Sequence, residues 1–222
     1  MSFKSRQLIV ILVFVCLQIL LSAQENLEIK GLSFFENRSY KKRLAFLQGI
    51  PPHEPAILNA AFLEDSAYLL MQQLKRNGYL KPQIEGIFTA NEILKSAVWE
   101  NKYAISLDTD FLAEHAIFYL KPGTLYYYDS IEVLGVPVLD EDVTNRYFIP
   151  EGALFTKKSS HVFTEGNFKQ RTYRLLNTLS QMGYQQARLV SKIAVLDDET
   201  GAVTATVTIE PGPMHKVGQV FI

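Results

Sequence analysis

A phrase that returns after about a hundred residues constrains this chain more than any other feature. Asn26-Leu27-Glu28-Ile29-Lys30-Gly31 reads almost position for position like Ser130-Ile131-Glu132-Val133-Leu134-Gly135. Leu70, Leu74, Gly78 and Tyr79 find counterparts in Leu175, Leu179, Gly183 and Tyr184, with the same offset to within one residue. Two unrelated landmarks sharing one offset define a tandem repeat whose unit is an ordinary domain in size. A Pro-Gly turn marks each junction. Pro122-Gly123 leads into the second copy, and Pro211-Gly212 leads into Met214–Ile222, which reads as the first strand of a third.

The N-terminus has a different character. Lys4 and Arg6 precede an apolar run over residues 8–21, and Ser22-Ala23 follows with small side chains. That order is a secretory signal peptide over residues 1–23, cleaved after Ala23. The run is close to the lower length limit for crossing a bilayer, so a retained anchor is the competing reading. Cleavage removes Cys16, the only cysteine, and leaves an exported chain that depends on packing rather than disulfides. A net charge of −1 supplies no cationic excess for phosphates, so no nucleic-acid partner is expected.

Within the first copy, residues 24–123, Leu27–Phe35 reads as a strand bent at Gly31. Tyr40, Leu44 and Leu47 make a short amphipathic helix with Lys41, Lys42 and Arg43 on its wet side. Pro55 opens a longer helix striped by Ala56, Ala60, Leu63, Ala67, Leu70 and Leu74, and Gly78 terminates it. A strand over Leu80–Phe88 follows. Pro82 near its start marks it as an edge strand, because proline has no ladder donor. Residues 89–112 give no clear pattern beyond a short strand within Lys102–Leu107, and Ala113–Leu120 closes the copy as a strand.

The second copy, residues 124–212, repeats the order. Leu125–Leu134 is a strand, Glu141–Tyr147 a short helix capped by Asp140 or Asp142, and Lys157–Ser160 a polar loop. Phe168, Thr172, Leu175, Leu179 and Met182 stripe the second helix, which Gly183 ends. The strand Gln186–Leu196, a turn over Asp197–Gly201 and the alternating Val203, Ala205, Val207 and Ile209 complete it. Each copy is therefore β-α-α-β-β, an α+β architecture.

Chemistry-bearing motifs are sparse. Asp197-Asp198-Glu199 and Asp140-Glu141-Asp142 sit where turns and helix caps need carboxylates, and His53, His115, His161 and His215 are scattered. No nucleophile elbow or phosphate-cradling loop is present, so the reading is non-enzymatic, with no catalytic residue, cofactor or metal. What such a unit does offer is a sheet edge. Gln83, Ile84, Glu85 and Ile87 in the first copy, and Gln186, Arg188, Val190 and Lys192 in the second, are the candidate edge positions for an extended client segment.

The ordered set of signal peptide, repeated β-α-α-β-β units, Gly-Tyr after the long helix and Pro-Gly junctions resembles the POTRA, or polypeptide-transport-associated, repeats. Asn26–Gly31, Leu70–Tyr79, Lys121–Gly135, Leu175–Tyr184 and Pro211–Ile222 carry the resemblance. It implies three-stranded mixed sheets, each covered by two helices, on the periplasmic side of the outer membrane. It also implies a role in β-barrel assembly, insertion or secretion, with unfolded outer-membrane or secreted polypeptides as clients and periplasmic accessory proteins as further partners. Family members continue into a membrane barrel that residues 1–222 do not contain. The alternatives within the resemblance are a dedicated two-partner secretion pore and an enzyme fusion whose catalytic domain lies beyond Ile222.

Overall fold

The computed structural model describes residues 26–50, 56–100, 103–104, 107–136, 138–149 and 161–215. The expected signal peptide, Pro51-Pro52, Pro55, the expected Lys157–Ser160 loop and, from residue 216, the strand expected to open a third copy lie outside them. Two compact units emerge. One comprises the chain up to Gln73 with Pro82–Lys121; the other comprises Leu74–Lys81 with the chain from Pro122.

The first unit begins with β1 (Leu27–Lys30), which is shorter than the sequence suggests. The chain turns at Gly31, and Ser33 caps α1 (Phe34–Leu47) in a capping box: its hydroxyl accepts from the Glu36 N–H, while Glu36 accepts from the Ser33 N–H at 3.2 Å. Phe34 and Phe35 are thus the first turn of a helix and not the end of a strand. Leu58–Asn59 (β2) precedes α2 (Ala60–Arg76), which buries Leu63, Ala67, Leu70 and Leu74. Ala56 lies before that helix, not on it.

After β3 (Gln83–Ala90) come β4 (Ile93–Glu100), β5 (Tyr103–Ala104), β6 (Leu112–Ala113) and β7 (His115–Lys121). The main sheet has five strands in the order β1-β7-β3-β4-β5, with β1 and β7 parallel and the other pairs antiparallel. The expected three-stranded sheet is its β1-β7-β3 part. β4 comes from the stretch that gives no clear pattern in sequence, and β5 falls within the short strand expected over Lys102–Leu107. Alternation in β3 and β7 points Ile84, Phe88, Ala116, Phe118 and Leu120 into the core. Phe88, Trp99 and Phe118 meet there at 5.9–6.1 Å between ring centres.

The second unit contains β8 (Tyr127–Leu134), α3 (Glu141–Arg146), α4 (Glu165–Gln181), β9 (Arg188–Leu196) and β10 (Ala202–Glu210). Its sheet runs β8-β10-β9, with β8 and β10 parallel and β9 and β10 antiparallel. Thr164 caps α4 by accepting from the Asn167 N–H at 3.0 Å. Asp140 precedes α3 without a side-chain cap bond. The helix stripe Phe168, Thr172, Leu175 and Leu179 is buried against Val203, Ala205, Val207 and Ile209 of β10 in one core cluster. Met182 is the helix's terminal cap residue and not part of that buried stripe.

The order β8-β10-β9 reproduces β1-β7-β3 in sequence order and in pairing sense, so the repeat seen in the sequence is a repeat of topology. Its most constrained position is the glycine after the first strand. Gly31 has φ +103° and Gly135 φ +82°. A Cβ on Gly31 would lie 2.2 Å from the Leu120 carbonyl oxygen, and one on Gly135 2.0 Å from that of Ile209. In both units a left-handed residue must leave the first strand while touching the backbone of its parallel neighbour, and glycine alone fits.

Candidate functional site: the open edge of the second sheet

Among the described residues the two candidate edges part company. β3 is hydrogen-bonded on both flanks, to β7 from Gln83 to Thr89 and to β4 from Gln83 to Ala90. Gln83, Ile84, Glu85 and Ile87 therefore lie inside a sheet, which corrects the edge assignment. Ile84 is buried, Gln83 hydrogen-bonds Glu100 across to β4, and Glu85 accepts from Lys121 Nζ at 2.8 Å across to β7. Pro82 stands one residue before β3, where no ladder donor is required, so its presence says nothing about an edge.

Among the described residues, β9 pairs with β10 alone. Its register shifts between Leu189 and Ser191, which leaves Val190 opposite no residue of β10. That bulge reverses the alternation. Arg188, before it, binds Glu210 Oε2 through Nε at 2.9 Å. Lys192, after it, stands opposite the buried Val207 and holds its ammonium 5.7 Å from the centre of the Phe168 ring. Val190, Ile193 and Val195 are 58%, 58% and 63% exposed. Gln186 precedes the strand. Ile193 and Val195 were missed from sequence because an unbroken alternation from Gln186 puts the even-numbered residues on one face throughout.

The backbone phase of β9 follows from its turn. Asp197 N–H donates to the Ala202 carbonyl at 2.9 Å. In an antiparallel pair, inward and outward backbone groups alternate, so Val195 and Ile193 hydrogen-bond toward β10. The N–H and C=O groups of Leu196, Ala194 and Lys192 point away from it. From the bulge to the turn, β9 thus presents a short, regular row of donors and acceptors beside exposed Ile193 and Val195.

The turn beyond β9 accounts for its carboxylates. Asp197 accepts from the Thr200 hydroxyl at 2.7 Å and from the Glu199 and Thr200 N–H groups at 2.9 and 3.3 Å, which holds its carboxyl below the usual range. Asp198 is lowered by Lys81, which groups with this unit, and by the Tyr126 hydroxyl that donates to it at 2.5 Å. Burial pushes the Tyr126 phenol up to about 12, with the Asp198 bond and charge adding to it. Tyr128 also rises to about 12 through burial, opposed by Arg171 over its ring. These groups build a turn and a core. Among the described residues no three His, Cys, Asp or Glu side chains converge as metal ligands would, and no helix is long and apolar enough to cross a membrane.

Gly78 and Gly183 follow α2 and α4 with φ of +93° and +101°, and the next residue in each case, Tyr79 or Tyr184, donates its N–H back to the helix carbonyl of Leu74 or Leu179. Pro122-Gly123 follows β7 and Pro211-Gly212 follows β10, each glycine at positive φ.

No protein-family model matches the chain, and no curated protein does. Solved structures do. POTRA3-5 of BamA from Haemophilus influenzae is 14% identical, with 86% of this chain and 66% of that one covered and a TM-score of 0.40. The likeness is to POTRA repeats. The N-terminal domain of Omp85 from Thermosynechococcus elongatus is 13% identical over 84% of this chain and 61% of that one, with a TM-score of 0.43. POTRA1-2 of the periplasmic domain of Omp85 from Anabaena is 13% identical over 86% and 96%, with a TM-score of 0.39. The chain thus spans about two-thirds of the first two of these structures.

Proposed function

We propose that this chain is the periplasmic POTRA-type region of an outer-membrane assembly or transport protein, and that it docks extended segments of unfolded polypeptides along β9. The one-sided pairing of β9 carries this reading. A client strand adding to that edge completes the outward backbone row of Lys192, Ala194 and Leu196 through main-chain bonds, which demand little of the client's sequence. Exposed Ile193 and Val195 give an alternating client strand apolar neighbours on one face. Binding of this kind needs no cofactor and makes or breaks no covalent bond. The signal peptide delivers the chain to the compartment where barrel precursors travel unfolded.

The test is a photo-crosslinking residue at Val195, with Lys192→Pro as the variant. Proline at Lys192 removes one outward donor while sparing the bonds to β10. The bulged Val190 is the poorer site for it, because a residue already outside the ladder says nothing about the open row. Crosslinks to unfolded barrel precursors are expected to fall at least about tenfold, the loss of one backbone bond and of strand regularity together. Unchanged crosslinking in a folded Lys192→Pro protein overturns the docking mode.

A further inference from the structure

Helix α1 carries apolar residues on two opposite faces, and the core uses one of them. Tyr40 and Leu44 are buried. Phe35, Arg38, Lys42 and Phe46, at i, i+3, i+7 and i+11, form the stripe diametrically across from that pair. Phe35 is 81% exposed and Phe46 83%. Phe34 is exposed beside Phe35, their rings 5.6 Å apart and edge-on. Leu47, expected on the buried face, is also exposed at the helix end.

The charge on this helix departs from the rest of the chain. Arg38, Lys41, Lys42 and Arg43 stand against the single carboxylate of Glu36, which the Ser33 cap already engages, in a protein whose overall charge is −1. We infer that the outer face of α1 is a membrane-contact surface, with Phe34, Phe35 and Phe46 entering the headgroup–acyl boundary and Arg38 and Lys42 on anionic lipid phosphates.

The pattern fits a lipid surface better than a protein partner. A protein hot spot gathers its aromatic anchors at the centre of a desolvated patch, and interfaces are depleted in lysine. Here the aromatics stand at the two ends of the helix, roughly 16 Å apart at a helical rise per residue, with cations between them. A partner protein would have to offer apolar, anionic and apolar ground in register with that spacing. An anionic bilayer offers both chemistries at every point of its surface. Aromatic rings favour its interfacial depth, and each cation near the surface adds attraction. The surface lies on one helix of the first unit and involves neither β9 nor its clients.

The experiment uses the full chain with Phe35→Trp as a local reporter, since the apolar run at residues 8–21 could itself bring the protein to vesicles. Trp99 is buried and serves as a constant background. Vesicles of phosphatidylcholine containing phosphatidylglycerol are expected to shift the new tryptophan's emission to the blue. Pure phosphatidylcholine is expected to leave it unchanged. Arg38→Gln with Lys42→Gln should weaken the vesicle-induced shift at least about tenfold in lipid concentration, and added salt should do likewise. No shift with anionic vesicles overturns the proposal, as does an equal shift with both lipids. A shift produced only by an envelope-protein fraction overturns it in favour of a protein partner. Phe46→Trp repeats the measurement should Phe35→Trp disturb the helix, which circular dichroism reports.

Discussion

β3 and β9 are the same strand of the repeated topology, each following the long helix of its unit and each lying antiparallel to the strand that closes it. They have opposite fates. β3 continues through a two-residue turn at Asn91-Glu92 into β4, which covers its outer flank from end to end. β9 has β10 on one side and, among the described residues, nothing on the other. One unit uses about ten more residues to close the edge that the other, among the described residues, leaves unpaired, which is why the proposed docking role falls to β9 and not to both strands.

Removing the cover of β3 has the largest expected consequence. Trp99→Ala takes from β4 the ring that packs on Phe88 and Phe118, and should cost about 3–5 kcal/mol in urea unfolding of the first unit. A loss under about 1 kcal/mol would mean that β4 is a loosely held flap and that the two edges are alike after all.

A matched pair of prolines gives the next effect. Ile87→Pro, in a strand bonded on both flanks, should destabilise by on the order of 3 kcal/mol. Lys192→Pro, at an outward position of an edge strand, should cost about 1 kcal/mol or less, chiefly the lost contact over Phe168. Equal costs measured by denaturant titration would erase the distinction drawn between the two strands.

The sequence made part of this contrast legible. Its repeat, the glycines leaving β1 and β8 and the stripes of α2 and α4 follow from spacing alone, because each reflects a backbone or periodicity requirement local to a few residues. The start of α1 escaped. Leu32, Phe34 and Phe35 look like more strand after Gly31, although Ser33 and Glu36 already spell a capping box. β4 escaped because its turn, with Asn91 and Glu92 both at positive φ, lacks the glycine that normally announces such a hairpin. Its first half is also solvent-exposed, so no inside–outside alternation shows there. The inversion of β9 at Val190 was invisible for a different reason: a bulge is set by pairing with β10, and no single-strand pattern encodes it.

Residue-resolved amide exchange, with and without an unfolded barrel precursor, tests the central claim most directly. In the free protein the amides of Lys192, Ala194 and Leu196 should exchange rapidly while those of Ile193 and Val195 and the interior of β3 are protected. Adding the precursor should slow the three outward amides of β9 and leave β3 unchanged. If those three are already protected in the free chain, or stay fast when precursor is bound, β9 is not an open edge that receives a client strand.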